Sequence, residues 1–396
     1  MNLNEKPETT DSPERTPSNS TVLPGATIGV LGGGQLGRML AIEAARLGYR
    51  VSIFEPETGC PAGQVSVGEV NAPYDDDAAL RRFAAGVNVA TYEFENIPLH
   101  ALDTVAEFTS VRPRGGALHI CQNREREKNF LRANGIPCAP FWVVDSAETL
   151  AAALEELNGP GVLKTASFGY DGKGQMRVRT GDEAADVWAR FGSDRAVLEG
   201  WVEFSHELSI VCARGMDGAT SVFPVVENRH THHILDFSIV PARIPDAVQA
   251  QARVIAERIA ETLDVVGLIT TEFFLTADGR LLVNELAPRP HNSGHFSIDA
   301  CVTSQFEQQV RAVCGLPLGS TELLRPVVML NLLGDLWSEG EPDWAGVLGD
   351  PDVKLHLYGK GEARPGRKMG HLCVLADSSD EALERAEEIK SRLSGR

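Results

Sequence analysis

The chain is short of positive charge. Its 396 residues carry 37 Lys and Arg against 55 Asp and Glu, a formal net charge of −18. A general nucleic-acid or membrane-surface role is excluded on that balance, because both need basic patches. An anionic small substrate held by a few local cations is still allowed. Long apolar runs are missing as well: none approaches the roughly 20 residues that span a bilayer. The cysteines (Cys60, Cys121, Cys138, Cys212, Cys301, Cys314 and Cys373) form no C-x-x-C pair and no zinc spacing. They read as buried thiols of a reducing, cytoplasmic compartment. Residues 1–24 have almost no large apolar side chains and lack the apolar centre of a signal peptide. Their Pro, Ser, Thr and Glu content predicts a disordered tail.

What the chain does have is bulk. With 43% hydrophobic residues it can bury a large core and divide into two or three domains. Thr27 to Leu31 is a short apolar strand, and Gly32 to Gly37 a glycine-rich turn. Leu36, Met39, Leu40, Ala44 and Leu47 then keep a helical period, and Val51 to Phe54 is the next strand. This is a βαβ unit. With a further strand at Val87 to Thr91, it predicts a parallel sheet covered by helices over roughly the first 115 residues. Helices are expected at 121–133, 147–157 and 246–263. Strands are expected at 161–164, 175–179, 197–202 and 207–212. The end of the chain reads as a small α+β unit, with strands at 353–358 and 371–376 and a helix at 379–393.

Glu272 and Glu285 are the most informative pair. The stretch from Thr270 to His295 reads as two strands joined at Asp278-Gly279, a preferred two-residue hairpin loop in which both central residues take positive φ. That loop sets Glu272 opposite Glu285. Directly opposed like charges destabilise a sheet, and a divalent cation between them resolves the conflict. Mg²⁺ prefers carboxylate oxygens and shares its shell with nucleotide phosphates. The alternative is two solvated glutamates. Asn284 and the loop from Pro288 to His295 add polar groups at the same end, which favours the metal.

Other motifs are weaker singly. Gly32-x-Gly34-x-x-Gly37 followed by Glu55 fits the dinucleotide fingerprint and keeps an NAD-dependent oxidoreductase as an alternative. Gly169-Tyr-Asp-Gly-Lys-Gly174 lies between two strands. Its glycines free backbone amides for phosphate oxygens, Lys173 adds charge, and Lys164 on the preceding strand suits a phosphate clamp. Arg124 and Lys128 share a helix face at i, i+4, a pattern more typical of a solvated pair. Glu199 to Val202 suits adenine pairing through the backbone, with Glu207 on the ribose. His230, His232 and His233 invite zinc but lack a fourth ligand at zinc spacing. Lys360, Arg364, Arg367 and Lys368 form a cationic cluster in an acidic chain, as an anion site for a phosphate monoester requires.

Six segments occur in a telling order: GGGQLGRML at 32–40, TYEFEN at 91–96, KTASFGYDGKGQ at 164–175, EGWVEFSHELS at 199–209, VNELAPRPHNSGH at 283–295 and GKGEARPGRKMGH at 359–371. Together they resemble the N5-carboxyaminoimidazole ribonucleotide synthetases, ATP-grasp enzymes of purine biosynthesis. The resemblance runs from about Thr27 to the C-terminus. It implies an α/β and α+β architecture: a Rossmann-like pre-ATP-grasp domain at 25–118, a central ATP-grasp fold at 119–322 and a small C-terminal α+β domain at 323–396. It implies an ATP-dependent carbon–nitrogen ligase that carboxylates 5-aminoimidazole ribonucleotide with bicarbonate through carboxyphosphate. ATP would lie at Arg124, Lys164, Gly169, Tyr170, Asp171, Gly172, Lys173, Gly174, Gln175, Glu199, Val202, Glu207, His230, Asn284 and Glu285. Mg²⁺, or Mn²⁺, would sit on Glu272 and Glu285. The ribonucleotide would meet Gln35, Leu36, Glu93, Tyr170, Asn292, Lys360, Arg367 and Lys368, with Asp171 or Glu93 handling its amine. A homodimer and a separate mutase acting on the product complete the implied picture. A formate-dependent transformylase or a biotin carboxylase would share Lys164, Glu272 and Glu285 but lack the cluster at 360–371. A nucleotide-binding regulatory protein would not need the intact carboxylate pair.

Overall fold

The structure is a computed structural model and describes residues 20–167 and 174–395. The first unit alternates strand and helix: β1 (Thr27–Leu31), α1 (Gln35–Arg46), β2 (Arg50–Phe54), β3 (Gly68–Val70), α2 (Asp77–Ala85), β4 (Val89–Tyr92) and α3 (Leu99–Ala106). The four strands form the expected parallel sheet in the order β3-β2-β1-β4. Short apolar runs suit such strands because helices bury both faces; Ile28, Val30 and Leu31 are fully buried.

Helices α4 (Gly115–Cys121) and α5 (Arg124–Ala133) follow. The single helix expected over 121–133 is therefore broken near its start. Asn123 takes extended backbone and its side chain accepts from Arg126 N–H, which restarts the helix one turn later. Next come β5 (Phe141–Val144), α6 (Ala147–Leu157), β6 (Gly161–Thr165), β7 (Gln175–Val178), α7 (Ala184–Phe191) and β8 (Ala196–Gly200). They build a four-stranded antiparallel sheet, β5-β8-β6-β7, with α6 and α7 packed on it. The strand expected to reach Val202 stops at Gly200, so Val202 lies beyond the ladder.

A nine-stranded sheet holds the rest. Its strands are β9 (Phe204–Arg214), β10 (Thr220–Val222), β11 (Val226–Thr231), β12 (Ile234–Val240), β13 (Gly267–Thr276), β14 (Leu281–Ala287), β15 (Val327–Leu333), β16 (Val353–Leu357) and β17 (Lys368–Leu375). Helix α8 (Asp246–Thr262) packs on β9, β13 and β14; α9 (Ser297–Ala300), α10 (Gln305–Cys314), α11 (Trp344–Leu348) and α12 (Ser379–Leu393) complete the element list. The order β14-β13-β9-β11-β12-β15-β17-β16 carries the C-terminal strands into the same sheet. The C-terminal region thus extends the central sheet rather than adding a sheet of its own.

The β13–β14 hairpin departs from the expected geometry twice. Thr276 N–H donates to Arg280 O, so the loop has three residues, and only Gly279 among them has positive φ. That loop alone would set Glu272 opposite Asn284. A bulge at Asn284 then shifts the register, and Glu272 pairs with Glu285 after all.

The expected disordered tail, 1–24, also needs correction at its end. Val22 N–H donates to Cys314 O at 2.8 Å, and the Tyr49 hydroxyl donates to Val22 O at 2.7 Å. Val22 packs on a core shared by α1 and α10. A valine and two backbone groups with partners outweigh the local composition. Truncation through Val22 should cost about 1–3 kcal/mol, on the order of 2–6 °C in melting temperature. Truncation through Asn19 spares these contacts. Thermal melts of the two deletions check the difference; equal melting temperatures would refute the docking.

Candidate active site

The glycine turn after β1 is already filled. Gly33 N–H donates to Glu55 Oε2 at 2.8 Å, and Gly34 and Gly37 N–H donate to the Glu93 carboxylate at 2.9 and 3.3 Å. A Cβ at Gly32 would come within 2.8 Å of the Glu93 side chain. Burial raises the Glu93 carboxyl, with the Gly34 and Gly37 amides opposing it. The amides that a dinucleotide pyrophosphate would need at the start of α1 are taken by the protein's own carboxylates. This overturns the NAD reading of the fingerprint. Gln35 opens α1 beside Glu93, whereas Leu36 packs into the core and offers a ligand only its backbone.

A second cluster joins α5 to the small sheet. Glu199, near the end of β8, lies 3.0 Å from Lys164 Nζ, 3.3 Å from Lys128 Nζ and 3.9 Å from Arg124 Nε. Lys128 is fully buried and also donates to Asn284 O at 2.9 Å. It is not the solvated partner that its helical spacing suggested. Burial pushes the Glu199 carboxyl up, but Lys128, Lys164 and Arg124 outweigh it and hold the group at about 2. Burial lowers Lys164, and Glu199 opposes that. Three cations around one carboxylate leave a surplus of positive charge, and Arg124 of the three lines a pocket, a seat for anionic oxygens. Glu95, Asn96, Gln122, Arg124, Ser167 and Glu285 are among the residues lining that pocket. Arg124 N–H bonds Ala166 O, and Asn123 Nδ2 bonds Ser167 Oγ, tying α5 to the stem of the glycine-rich hairpin. The stem pairs Lys164 with Gln175, and Gly174 has φ +69°. Gly169, Tyr170, Asp171, Gly172 and Lys173 lie outside the described residues.

Glu285 of the carboxylate pair lines the same pocket. Burial, and then the charge of Glu285, push the Glu272 carboxyl up to about 7. His291 Nε2 stands 3.2 Å from Glu272 Oε1. Burial, with Arg289 adding to it, holds that imidazole well below its usual range, so it supplies no cation. Hard carboxylate oxygens in mutual repulsion fit Mg²⁺ or Mn²⁺. Among the described residues no group of three or more His, Cys, Asp or Glu could hold a metal. The pair would therefore leave most of an octahedral shell to phosphate oxygens and water. Nearby, Glu95 pairs with Arg289 at 2.7 Å, and Glu127 accepts from Leu286 N–H at 2.9 Å. Burial, and then Glu285, raise Glu127 to about 8.

The remaining candidates divide. His230 Nδ1 lies 2.8 Å from Glu207 Oε2 across adjacent strands, so the two act as a pair; the zinc reading at 230–233 gains no support. Asn292 is buried with both amide atoms unpartnered among the described residues, which suits a ligand contact. Lys360 lies over the Tyr358 ring and donates to Lys368 O at 2.7 Å. Burial, and then Arg367, press it down to about 8, while Glu93 opposes the shift. Lys360 thereby ties the C-terminal cluster electrostatically to the glycine turn. Lys368 likewise acts on Glu272, His230 and His291. Arg367 donates to Glu362 O at 2.9 Å, and Arg364 turns aside to the Glu362 carboxylate at 3.1 Å. Sequence reasoning missed Lys128, Glu127, Glu95, Arg289 and His291 as parts of the site. The charged run Arg124 to Lys128 and Arg289 between two prolines were the available signals.

Comparison with known proteins agrees with this geometry. Residues 25–122 match the ribonucleotide synthetase preATP-grasp domain, 129–306 the ATP-grasp domain, and 327–385 the phosphoribosylaminoimidazole carboxylase C-terminal domain. The N5-carboxyaminoimidazole ribonucleotide synthase of Brucella melitensis is 50% identical over 355 residues, 89% of this chain and 97% of that protein. A crystal structure of the ADP complex of an N5-carboxyaminoimidazole ribonucleotide synthetase superposes with TM-score 0.90 at 43% identity, covering 94% of this chain and 98% of the other. The Aspergillus clavatus N5-carboxyaminoimidazole synthase, solved with ADP and 5-aminoimidazole ribonucleotide, gives TM-score 0.86 at 32% identity, with coverage of 94% and 99%. With all three domains matched in order and a relative 50% identical over 89% of its length, this chain belongs to the N5-carboxyaminoimidazole ribonucleotide synthetase family of ATP-grasp enzymes.

Proposed function

We propose that the chain uses ATP and bicarbonate to carboxylate 5-aminoimidazole ribonucleotide on its amine, giving N5-carboxyaminoimidazole ribonucleotide for purine biosynthesis. The observation that carries this is one pocket lined both by Arg124, a member of the cation cluster at Glu199, and by Glu285 of the cross-strand carboxylate pair. Lys128, Lys164 and Arg124 hold phosphate oxygens of ATP. Glu207 with His230, and the backbone around Val202, hold its nucleoside end. Glu272 and Glu285 hold Mg²⁺, which neutralises charge as the phosphoryl group moves to bicarbonate. Both oxygens of Glu93 accept from amides. Asp171 or Glu93 handles the substrate amine, and Glu93 also shapes the turn beside Gln35. Asn292, Lys360, Arg367 and Lys368 receive the ribonucleotide.

Bicarbonate as carboxyl source, a homodimer and a separate mutase for the product belong to the same reading and rest on the family resemblance. The seven cysteines are all free, which suits a reducing compartment such as the cytoplasm. No helix among the described residues is long and apolar enough to cross a membrane. Coupled ADP release with ATP and bicarbonate tests the function. Release should require 5-aminoimidazole ribonucleotide; equal release with glycinamide ribonucleotide would refute the substrate assignment.

Two outcomes follow from the site. Glu285→Gln should leave circular dichroism unchanged while ADP release falls by at least about a hundredfold. Near-normal turnover at ordinary Mg²⁺ would make the pair a solvated face. Lys360, pressed to about 8 in the free enzyme, is cationic below that pH and neutral above it. Its grip on a phosphate should weaken as pH rises through 8, so kcat/KM for the ribonucleotide should fall there. In Lys360→Arg, whose guanidinium stays charged, that break should vanish from the pH profile.

A further inference from the structure

Strand β14 is the outermost strand of the nine-stranded sheet. Its bulge leaves Asn284 without a counterpart on β13, between Val283 opposite Phe273 and Glu285 opposite Glu272. On the other side of β13, Glu272 and Phe273 pair with β9 in unbroken register, so the irregularity belongs to β14 alone. An outer strand leaves backbone donors and acceptors without ladder partners, and burying them unpaired is costly.

Two consecutive residues of α5 take those groups. Glu127 Oε2 accepts from Leu286 N–H at 2.9 Å, and Lys128 Nζ donates to Asn284 O at 2.9 Å. Glu127, Lys128 and Leu286 are all buried. One acceptor and one donor thus hold the strand on either side of Glu285, which lines the pocket.

The grip matters because electrostatics favours another register. The three-residue loop alone would set Asn284 opposite Glu272, a neutral partner in place of a charged one. Opposed carboxylates repel, so without a cation the hairpin gains by losing its bulge. That one-residue slip would turn the Glu285 side chain to the opposite face of the sheet. It would also turn the Asn284 carbonyl and the Leu286 amide in toward β13, so both bonds to α5 oppose it.

We propose that Glu127 is a positioning residue for Glu285: its bond to Leu286 N–H, beside the bond of Lys128 to Asn284 O, holds the bulged register before a cation arrives. The inference rests on the reading of Glu272 and Glu285 as the metal site. A partner of this kind acts through the ligand, and its loss weakens metal binding about tenfold or more. Glu127 also lines the pocket, where its charge alone would attract a cation. Glu127→Gln separates the two effects, because the amide oxygen still accepts while the charge is gone.

The test reads metal affinity rather than turnover. Mn²⁺ affinity in the presence of ADP, measured by electron paramagnetic resonance, should fall about tenfold in Glu127→Ala and stay within about threefold of wild type in Glu127→Gln. Metal-free ADP affinity, measured by calorimetry, should be unchanged in both, since Arg124, Lys128 and Lys164 remain. In ¹⁵N-leucine protein, the Leu286 amide, identified by its loss in Leu286→Met, should exchange slowly in wild type and Glu127→Gln and fast in Glu127→Ala. Glu127→Met, which keeps the volume without a carboxylate oxygen, stands in if the alanine variant does not fold. If neither folds, the bond serves the fold at large and the proposal fails. Equal losses of Mn²⁺ affinity in Glu127→Ala and Glu127→Gln would assign the effect to charge and overturn the positioning role. Unchanged Mn²⁺ affinity in Glu127→Ala, or an equal loss of metal-free ADP affinity, overturns it as well. Unchanged affinity in Glu285→Gln overturns the metal reading beneath it instead.

Discussion

A recessed carboxylate must be compensated, and this site is organised by how each of its carboxylates meets that demand. Glu199 is over-compensated by two lysines and an arginine, and the surplus charge points into the pocket. Glu93 is met by two amides, and Glu95 by Arg289. Glu272 and Glu285 have each other, which is repulsion rather than compensation. The unbalanced positions are thus of opposite sign, and Arg124 of the one and Glu285 of the other line the same pocket. A magnesium nucleotide carries both missing charges, anionic oxygens for one wall and a cation for the other.

The two sides of the site come from different units of the fold. The cations come from α5 and β6, the carboxylates from β13 and β14. The Lys360 cluster comes from the connection between β16 and β17, whose strands extend the same sheet. Lys128 shows how tightly the parts are joined: its ammonium group touches Glu199 in one sheet and the Asn284 carbonyl in another. The bulge at Asn284 therefore serves two ends, setting the register of Glu285 and receiving the lysine.

Much of this was legible in the sequence, for identifiable reasons. Strands and helices carried by uninterrupted periods were placed to within a residue or two, as at 27–31, 147–157 and 379–393. The Glu272–Glu285 pairing emerged from a two-residue loop that the chain does not form; a three-residue loop and a bulge offset each other. Local rules see a turn but not a bulge, whose cause is tertiary. Lys128 was illegible for a related reason. Helical spacing identifies neighbours on one face, but only the fold reveals that this face is buried against β8. The end of the presumed tail failed likewise, because composition reports the absence of an anchor and Val22 anchors through its backbone.

The glycine turn has one more consequence. A cell is crowded with dinucleotides, and a βαβ unit with this turn is the shape they look for. Glu55 and Glu93 act as a built-in plug, seated before any ligand arrives. Discrimination against a whole class of abundant competitors is therefore settled in the resting protein. It needs no closing motion and draws nothing from the affinity available for the true substrates.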